Sequence, residues 1–442
     1  MSPAGGLLHK TIVGNKHLPC SECLQKGIGR PAAGLYDSHM VTTVTPPTDP
    51  MRRATAGEGY DGVVRVSVGG FYGTGVVLYG GFAVLTAAHL LAGKTTSWST
   101  ASVAFETQQG LQTRSVSGVL LHPAYDTQSN NDLALVWLGQ SAPTAAERYE
   151  LYRGSDEVGQ TLNLVGYGMT GTGNTGAVAN TGDPVRLVAN NRFDALGHEL
   201  KSALGDAMGW SPAVNTQLLA DFDNGLSVND ALGRLMWRSD TGLGSSEGML
   251  APGDSGGPAF VNGLIAGVGS YLASLSSRYQ DPDVDNVDSN SSFGEIAAWQ
   301  RVSAYQQWID QSVRQQLAGA PTTPQEVQKS VVEGNWGTKL LYFLLTLNGL
   351  RSDPDAWLSV DYTTRDGTAL AGQDYLPVSG TLVLYPDEDH AVIPVEVMSD
   401  GVAEPSEVFY LDVFNPVGAE FDGGAVKLTA MRTITDDDGW WF

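Results

Sequence analysis

Short runs rich in valine and leucine, each closed by glycine or another turn-forming residue, recur along most of this chain. VVRVSVGG, GTGVVLYGG, FAVLTAA, DLALVWL and TLNLVGYG follow one another between Gly62 and Gly168. Each is of strand length and bounded by residues that break regular structure. Many short strands with tight turns pack as an all-β barrel or sandwich. Over 190–240 the rhythm gives way to longer, partly helical polar sequence, which reads as an insertion. It returns at PAFVNGLIAGVGSYL. Ser303 to Leu317 reads as an amphipathic helix, because Tyr305, Trp308, Ile309, Val313 and Leu317 recur at three- and four-residue spacing. A Pro/Thr-rich linker begins at Ala318 (AGAPTTPQEVQ). Beyond it WLSVDYTT, TLVLYP, AVIPVEVM and VFYLDVF alternate as the strands of a second β domain of roughly 110 residues. The expected division is a leader or propeptide over 1–53, ending in Met51-Arg52-Arg53, a first domain over 54–318, a linker over 319–325 and a second domain over 326–442.

The chain carries 25 Lys and Arg against 48 Asp and Glu, a formal charge of −23. Phosphate would be repelled, so nucleic acid is not an expected partner. The balance suits a soluble protein in a salty or calcium-containing medium. No stretch approaches the roughly 20 apolar residues of a membrane span. The N-terminus lacks the continuous apolar core of a signal peptide. The two cysteines, Cys20 and Cys23, form one Cys-x-x-Cys pair. That is half of a zinc knuckle or a redox pair, and no second pair exists to complete a zinc site. No role in catalysis is expected of them.

Three short motifs carry chemistry. A serine hydroxyl is a poor nucleophile and needs a base within hydrogen-bond reach, itself oriented by a third group. It also needs N–H donors aimed at the developing oxyanion. Gly253-Asp254-Ser255-Gly256-Gly257-Pro258 supplies a nucleophile at Ser255, with the N–H groups of Gly253 and Ser255 as donors. Gly256 and Gly257 allow a sharp turn close beneath a substrate. Thr86-Ala87-Ala88-His89 supplies a base where an apolar strand ends in small residues. Asn131-Asp132-Leu133-Ala134-Leu135 supplies a carboxylate at the head of another apolar strand.

GTGVVL, LTAAH, NDLALV, VGYG and GDSGGP stand in the order and approximate spacing of the trypsin/chymotrypsin family, and the chain resembles that family over about 54–318. The order His, Asp, Ser matches it too. The resemblance implies a double β-barrel and a serine endopeptidase, a hydrolase in which His89, Asp132 and Ser255 form a triad, with protein or peptide substrates and an extracellular location. It places Ser270 beside the buried aspartate. It places Met249, Leu250, Ser270, Tyr271 and Leu272 at the primary specificity pocket, with Met249 where trypsin-like enzymes have an aspartate. An apolar pocket implies cleavage after hydrophobic residues. Asp254 resembles the aspartate that pairs with a new N-terminus after zymogen cleavage. The candidate cut follows Arg53 and frees Ala54-Thr55-Ala56-Gly57, which departs from the usual Ile/Val-Val-Gly-Gly. No cysteine follows His89, so the disulfide that usually supports the histidine loop is missing, and packing alone must hold the domain. Asp221-Phe-Asp223-Asn-Gly225, with Asp230 following, faintly resembles a calcium loop; the expectation is a solvated Asp/Asn/Gly turn.

In the second domain Val360-Asp361-Tyr362-Thr363-Thr364, Asp366-Gly367-Thr368-Ala369, Ala371-Gly372-Gln373-Asp374-Tyr375 and Ile434-Thr435-Asp436-Asp437-Asp438 resemble the Calx-β domain, an immunoglobulin-like β-sandwich, over about 326–438. Carboxylates from separate strand ends can converge at one edge of a sandwich, where a hard divalent ion relieves their repulsion. Carried over by position, Glu333, Asp374, Asp400, Glu404, Glu407, Asp436, Asp437 and Asp438 are the candidate calcium ligands. The alternative is a plain sandwich with solvated acidic tips. For the whole chain, the rivals to a calcium-associated endopeptidase are an adhesin on an inactive peptidase fold and an esterase using the same triad.

Overall fold

The computed structural model describes residues 41–438 apart from 47, 95–99, 180–181, 276–280, 350 and 352. Cys20, Cys23 and most of the expected leader lie outside the described residues. The chain forms two compact units. One holds Val84–Gly139 and Leu151–Tyr305 with the residues up to Val77; the other holds Leu78–Ala83, Gln140–Glu150 and the chain from Gln306 on.

In the first unit six strands close a barrel. Around it run Val63–Val68, Phe71–Val77, Ala83–Thr86, Ala134–Leu138, Gly110–Leu121 and Ser102–Thr107. The first two form a hairpin whose loop is Gly69-Gly70, with φ of 58° and 82°. Positive φ at both loop residues is what a two-residue turn needs to match strand twist. Val64, Val66 and Val68 alternate inward, and Arg65 and Ser67 do not.

A seven-stranded sheet completes this unit, in the order Leu187–Arg192, Thr161–Gly166, Pro258–Val261, Leu264–Ala273, Ile296–Arg301, Gln217–Asp221 and Ala195–Leu196. Its core gathers Leu162, Leu164, Phe193, Phe222 and Trp299. Phe193 meets Trp299 edge-on, with centroids 5.6 Å apart. The stretch 190–240 is therefore not an insertion throughout. Leu187–Arg192 and Gln217–Asp221 are sheet strands, and only the short helices Gly197–Leu204 and Ala231–Met236 with their loops leave the sheet. Polar residues on these strands, such as Asn191 and Gln217, are buried and bonded, which hides the strand pattern in the sequence.

Residues 41–53, read from sequence as leader, are built into the fold. Val41–Thr43 pairs with Thr170–Thr172 on one side and Gly248–Met249 on the other. Arg52 is buried and donates to the carbonyls of Ser245 and Ser246. Ala54 is buried and donates its N–H to Arg186 O at 3.1 Å.

In the second unit Ser330–Val332, Lys427–Thr435, Glu407–Val417, Leu358–Asp366 and Ser379–Leu384 form a five-stranded sheet, and Thr338–Thr346 pairs with His390–Met398. Tyr375 stacks on Phe409 at 4.5 Å inside. The four alternating runs read from sequence coincide with strands here. The helix Val302–Gln315 crosses the division between Tyr305 and Gln306. Its second half groups with this unit because Asp310 accepts from Tyr385 and Arg314 pairs with Glu388.

Arg186 is fully buried and pairs with Asp61 at 2.7 Å, while also donating to the carbonyls of Ala54, Val63 and Glu106. Breaking a buried pair leaves an uncompensated charge, which costs about 3–5 kcal/mol. Arg186→Met should lower Tm by roughly 10 °C in thermal unfolding. Adding Asp61→Asn should restore part of the loss, because the unpaired charge is then gone.

Candidate active site

The strand Ala83–Thr86 is buried along its whole length and runs into a single helical turn, Ala88–Leu90. Ala87 and Ala88 have no exposed surface, so small residues are required there. The turn delivers His89 to Asp132. Asn131 takes a left-handed φ of 53° and donates its side-chain amide to Ala124 O, which fixes the loop that presents Asp132.

Asp132 is wholly buried, and three donors meet its carboxylate. The backbone N–H of His89 reaches Oδ1 at 2.8 Å, His89 Nδ1 lies 2.7 Å from Oδ2, and Ser270 Oγ donates to Oδ2 at 2.6 Å. Burial opposes the carboxylate's charge, but His89 and these hydrogen bonds win, and its pKa stands below the usual range. Burial likewise opposes charge on His89. The charge and hydrogen bond of Asp132 outweigh it, with Lys94 acting against them, so the imidazole pKa is raised. Behind Ser270, Gln300 donates to Ser270 Oγ at 3.2 Å and to Ser129 O at 2.8 Å. Sequence reading missed Gln300. Its one signal was a polar residue inside the apolar strand Ile296–Arg301.

Ser255 follows a tight turn. Asp254 N–H donates to Ala251 O at 2.9 Å, across Pro252 and Gly253. Proline second and a glycine at φ 105° third is the pattern of a type II turn. The carbonyl of Pro252 accepts from Met169 N–H at 2.7 Å. C=O and N–H point opposite ways in a trans peptide, so the N–H of Gly253 faces away from Met169. Gly256 has φ of 82°, and a Cβ there would meet Thr86 Oγ1 at 2.1 Å. The serine turn thus lies directly against the strand that carries the histidine. Asp254 is buried, and its carboxylate accepts from the N–H groups of Gly168 and Ala251 at 2.7 and 2.9 Å. Burial, only partly countered by these bonds, pushes its pKa up to about 7.

A cavity of about 30 Å³ opens beside Ser255, lined by Leu250, Ala251, Pro252, Ser270, Tyr271 and Leu272. No charged side chain lines it. Four of the five expected pocket residues meet there. Met249 does not: it is fully buried in the core, paired with Thr42.

Acidic groups converge in three places among the described residues. In the second unit Glu333, Asp400 and Asp438 form one group and Asp374, Glu404 and Glu407 another, with an oxygen of each member within 4.8 Å of the others. Asp436 and Asp437 join neither group: they accept from the N–H groups of Asp438 and Gly334. Glu333 Oε1 and Asp438 Oδ2 are buried without a hydrogen-bond partner. Burial, then the charges of Asp400, Asp436, Glu404 and Asp438, raise Glu333 to about 7. In the first unit Asp221, Asp223 and Asp230 are all buried, so the expected solvated turn is not what forms.

Residues 51–198 match the Trypsin family model, a span that takes in His89 and Asp132 and ends before Ser255. Residues 347–438 match the Calx-beta domain. The chain thus joins a trypsin-family segment to a Calx-beta domain. It is 41% identical over 88 residues to the sodium/calcium exchanger Calx of Drosophila melanogaster, covering 20% of this chain and 9% of the exchanger. It is 25% identical over 237 residues to human sodium/calcium exchanger 2, covering 44% of this chain and 26% of that protein. The chain therefore spans about a tenth to a quarter of these relatives. Among solved structures, neuropsin, a serine protease expressed in the limbic system of mouse brain, aligns at a TM-score of 0.42 and 19% identity over 59% of this chain and 98% of neuropsin.

Because Asp132 is what raises His89, removing its charge should reverse the shift. In Asp132→Asn, burial and Lys94 remain and both lower the imidazole pKa. Histidine titration followed by NMR should place His89 above 6.5 in the parent chain and below it in the variant.

Proposed function

We propose that this chain is a serine endopeptidase, with Ser255 as nucleophile, His89 as general base and Asp132 as its orienting carboxylate, joined to a Calx-β sandwich that holds calcium. The observation that carries the reading is the Asp132 carboxylate, buried, ionised and bonded at 2.7 Å to Nδ1 of His89. With Nδ1 protonated and held there, Nε2 is the free basic nitrogen.

In this reading Ser255 Oγ attacks the scissile carbonyl carbon and its proton passes to His89 Nε2. The carbonyl oxygen becomes an oxyanion, met by the N–H groups of Gly253 and Ser255. The imidazolium that forms is stabilised by Asp132. His89 then gives the proton to the leaving amine as the C–N bond breaks, which leaves an ester on Ser255. Water attacks that ester, its proton goes to His89, and return of the proton to Ser255 Oγ frees the acid. The orientation of the Gly253 peptide supports a formed oxyanion hole. The small uncharged cavity supports cleavage after apolar side chains of modest size and not after Lys or Arg.

The sandwich contributes oxygen donors only, which suits a hard divalent cation. Glu333, Asp400 and Asp438 would hold one ion and Asp374, Glu404 and Glu407 another. The unpartnered oxygens of Glu333 and Asp438 fit that role. An ion there supplies charge neutralisation between strand ends. A calcium-containing extracellular medium goes with this reading. No described helix is long and apolar enough to cross a membrane.

Purified protein should cleave peptides after apolar residues and react with a fluorophosphonate probe. Ser255→Ala should lose about a million-fold in kcat and all labelling. Asp132→Asn should lose about ten-thousand-fold. The rate should fall as pH drops through the raised His89 pKa, since only neutral imidazole accepts the proton. Absence of labelling in the parent chain would favour a binding protein on a peptidase scaffold, and labelling with cleavage of esters alone would favour an esterase.

For the sandwich, calcium at a hundredfold its Kd should stabilise by about 2.7 kcal/mol per site. Calorimetry should show this stabilisation reduced in Glu333→Gln and in Glu404→Gln. An unchanged response would make the sandwich a plain structural domain.

A further inference from the structure

The buried acids of the first unit are not used by the chemistry above. Asp221 ends a strand of the seven-stranded sheet, Asp223 follows two residues on, and Asp230 caps the helix Ala231–Met236. Their exposures are 1, 3 and 2%, and one oxygen from each lies within 4.8 Å of the others. Two more carboxyl groups stand beside them, one buried and one half-buried. Glu247, with no exposed surface, accepts the Asp223 N–H at 2.7 Å, and Asp194 lies against Asp221.

Hydrogen bonds account for most of these oxygens. Asp221 Oδ2 takes the N–H of Leu232. Asp230 takes the N–H of Gly233 and the hydroxyl of Ser239. Glu247 takes the N–H groups of Asp223 and Leu243. Asp223 Oδ1 takes none: it is buried and has no partner. Among the described residues no lysine or arginine pairs with Asp221, Asp223 or Asp230. Arg192 pairs with Asp240 and Arg238 with Glu199, and Arg234, on the helix that Asp230 caps, donates Nη1 to Val228 O and makes no ion pair with the three acids.

Three buried carboxylates without a counter-charge repel one another and lose their hydration. Burial first, and then the neighbouring carboxylates, push Asp223 far above the usual carboxylate range. Protons would relieve the repulsion, but Asp223 Oδ1 as it stands accepts from no donor and has no partner. A cation supplies one, and an all-oxygen donor set selects a hard divalent ion. Magnesium keeps several waters in an octahedral shell, which suits a site this closed poorly, whereas calcium accepts six to eight oxygens in flexible geometry.

We propose that Asp221, Asp223 and Asp230 bind one calcium ion within the peptidase unit, separate from the acidic groups of the sandwich. The ion ties a strand end to a helix start. Through the Asp223–Glu247 bond it also braces the strand Gly248–Met249, which leads directly into the turn at Ala251–Asp254.

The test counts calcium bound per chain by equilibrium dialysis, in full-length protein carrying Ser255→Ala to prevent self-digestion. Asp223→Asn and Asp230→Asn should each bind one ion fewer than the parent. Asparagine caps a helix as well as aspartate does, so Asp230→Asn removes charge and keeps the cap. A parallel chain with Glu333, Asp400, Asp438, Asp374, Glu404 and Glu407 changed to their amides should retain one ion, and excess magnesium should not displace it. Unchanged stoichiometry in both aspartate variants, or no ion retained in the amide chain, overturns the site. Displacement by magnesium overturns the choice of calcium.

Discussion

The carboxylate of Asp132 is the group on which the candidate site depends. It stands just ahead of the barrel strand Ala134–Leu138, while Ser270 belongs to Leu264–Ala273 in the seven-stranded sheet. A buried carboxylate without donors is costly, and this one draws its donors from both places. Neither the barrel nor the sheet alone completes the site. His89 is held twice, through its backbone N–H and through Nδ1, so ring position and tautomer are set by the same carboxylate. Gln300 extends the network by fixing the hydroxyl of Ser270 to the loop at Ser129.

The serine turn has a different foundation. Family resemblance leads one to expect an ammonium group beside Asp254. Here the carboxylate is met by two backbone N–H groups, and the same N–H of Ala251 that it binds belongs to the turn preceding Ser255. The segment expected to supply the ammonium is engaged elsewhere. Ala54 donates to Arg186, Arg52 holds the carbonyls of Ser245 and Ser246, and Val41–Thr43 is a central strand. The turn thus takes its shape from Pro252, Gly253 and local hydrogen bonds.

What could be read from sequence follows from which constraints are local. Strand runs, the glycine turns and the helix near 302–315 depend on neighbours in the chain, and they were legible. His89 and Asp132 meet because each sits at the end of a strand that the sequence shows, and Ser255 lies in the glycine turn that it shows. Gln300 was not legible, since its role comes from a strand reached only through the fold. The misreading of 190–240 has one cause: Asn191, Gln217 and Asp221 are polar residues buried by tertiary partners, which conceal two sheet strands. Met249 was placed by counting back from Ser255, and the pairing of Val41–Thr43 with Gly248–Met249 sends it into the core instead.

The distribution of charge carries the last step. With 25 basic residues against 48 acidic ones, not every buried acid can have an arginine. Several of the arginines that go inside meet a single acid, Arg186 with Asp61, Arg301 with Glu157 and Arg148 with Glu396, while Arg52 and Arg432 meet backbone carbonyls. Among the described residues, no arginine or lysine forms an ion pair with the acids that cluster in threes. A guanidinium is a planar fork suited to one carboxylate at a time, whereas a small divalent ion can be approached by several oxygens from different directions. With calcium bound as proposed, the division between paired and clustered acids would follow the geometry of two kinds of cation. Where acids cluster, stability becomes a function of the free ion concentration. In both units the folded state would then be linked to the medium through calcium.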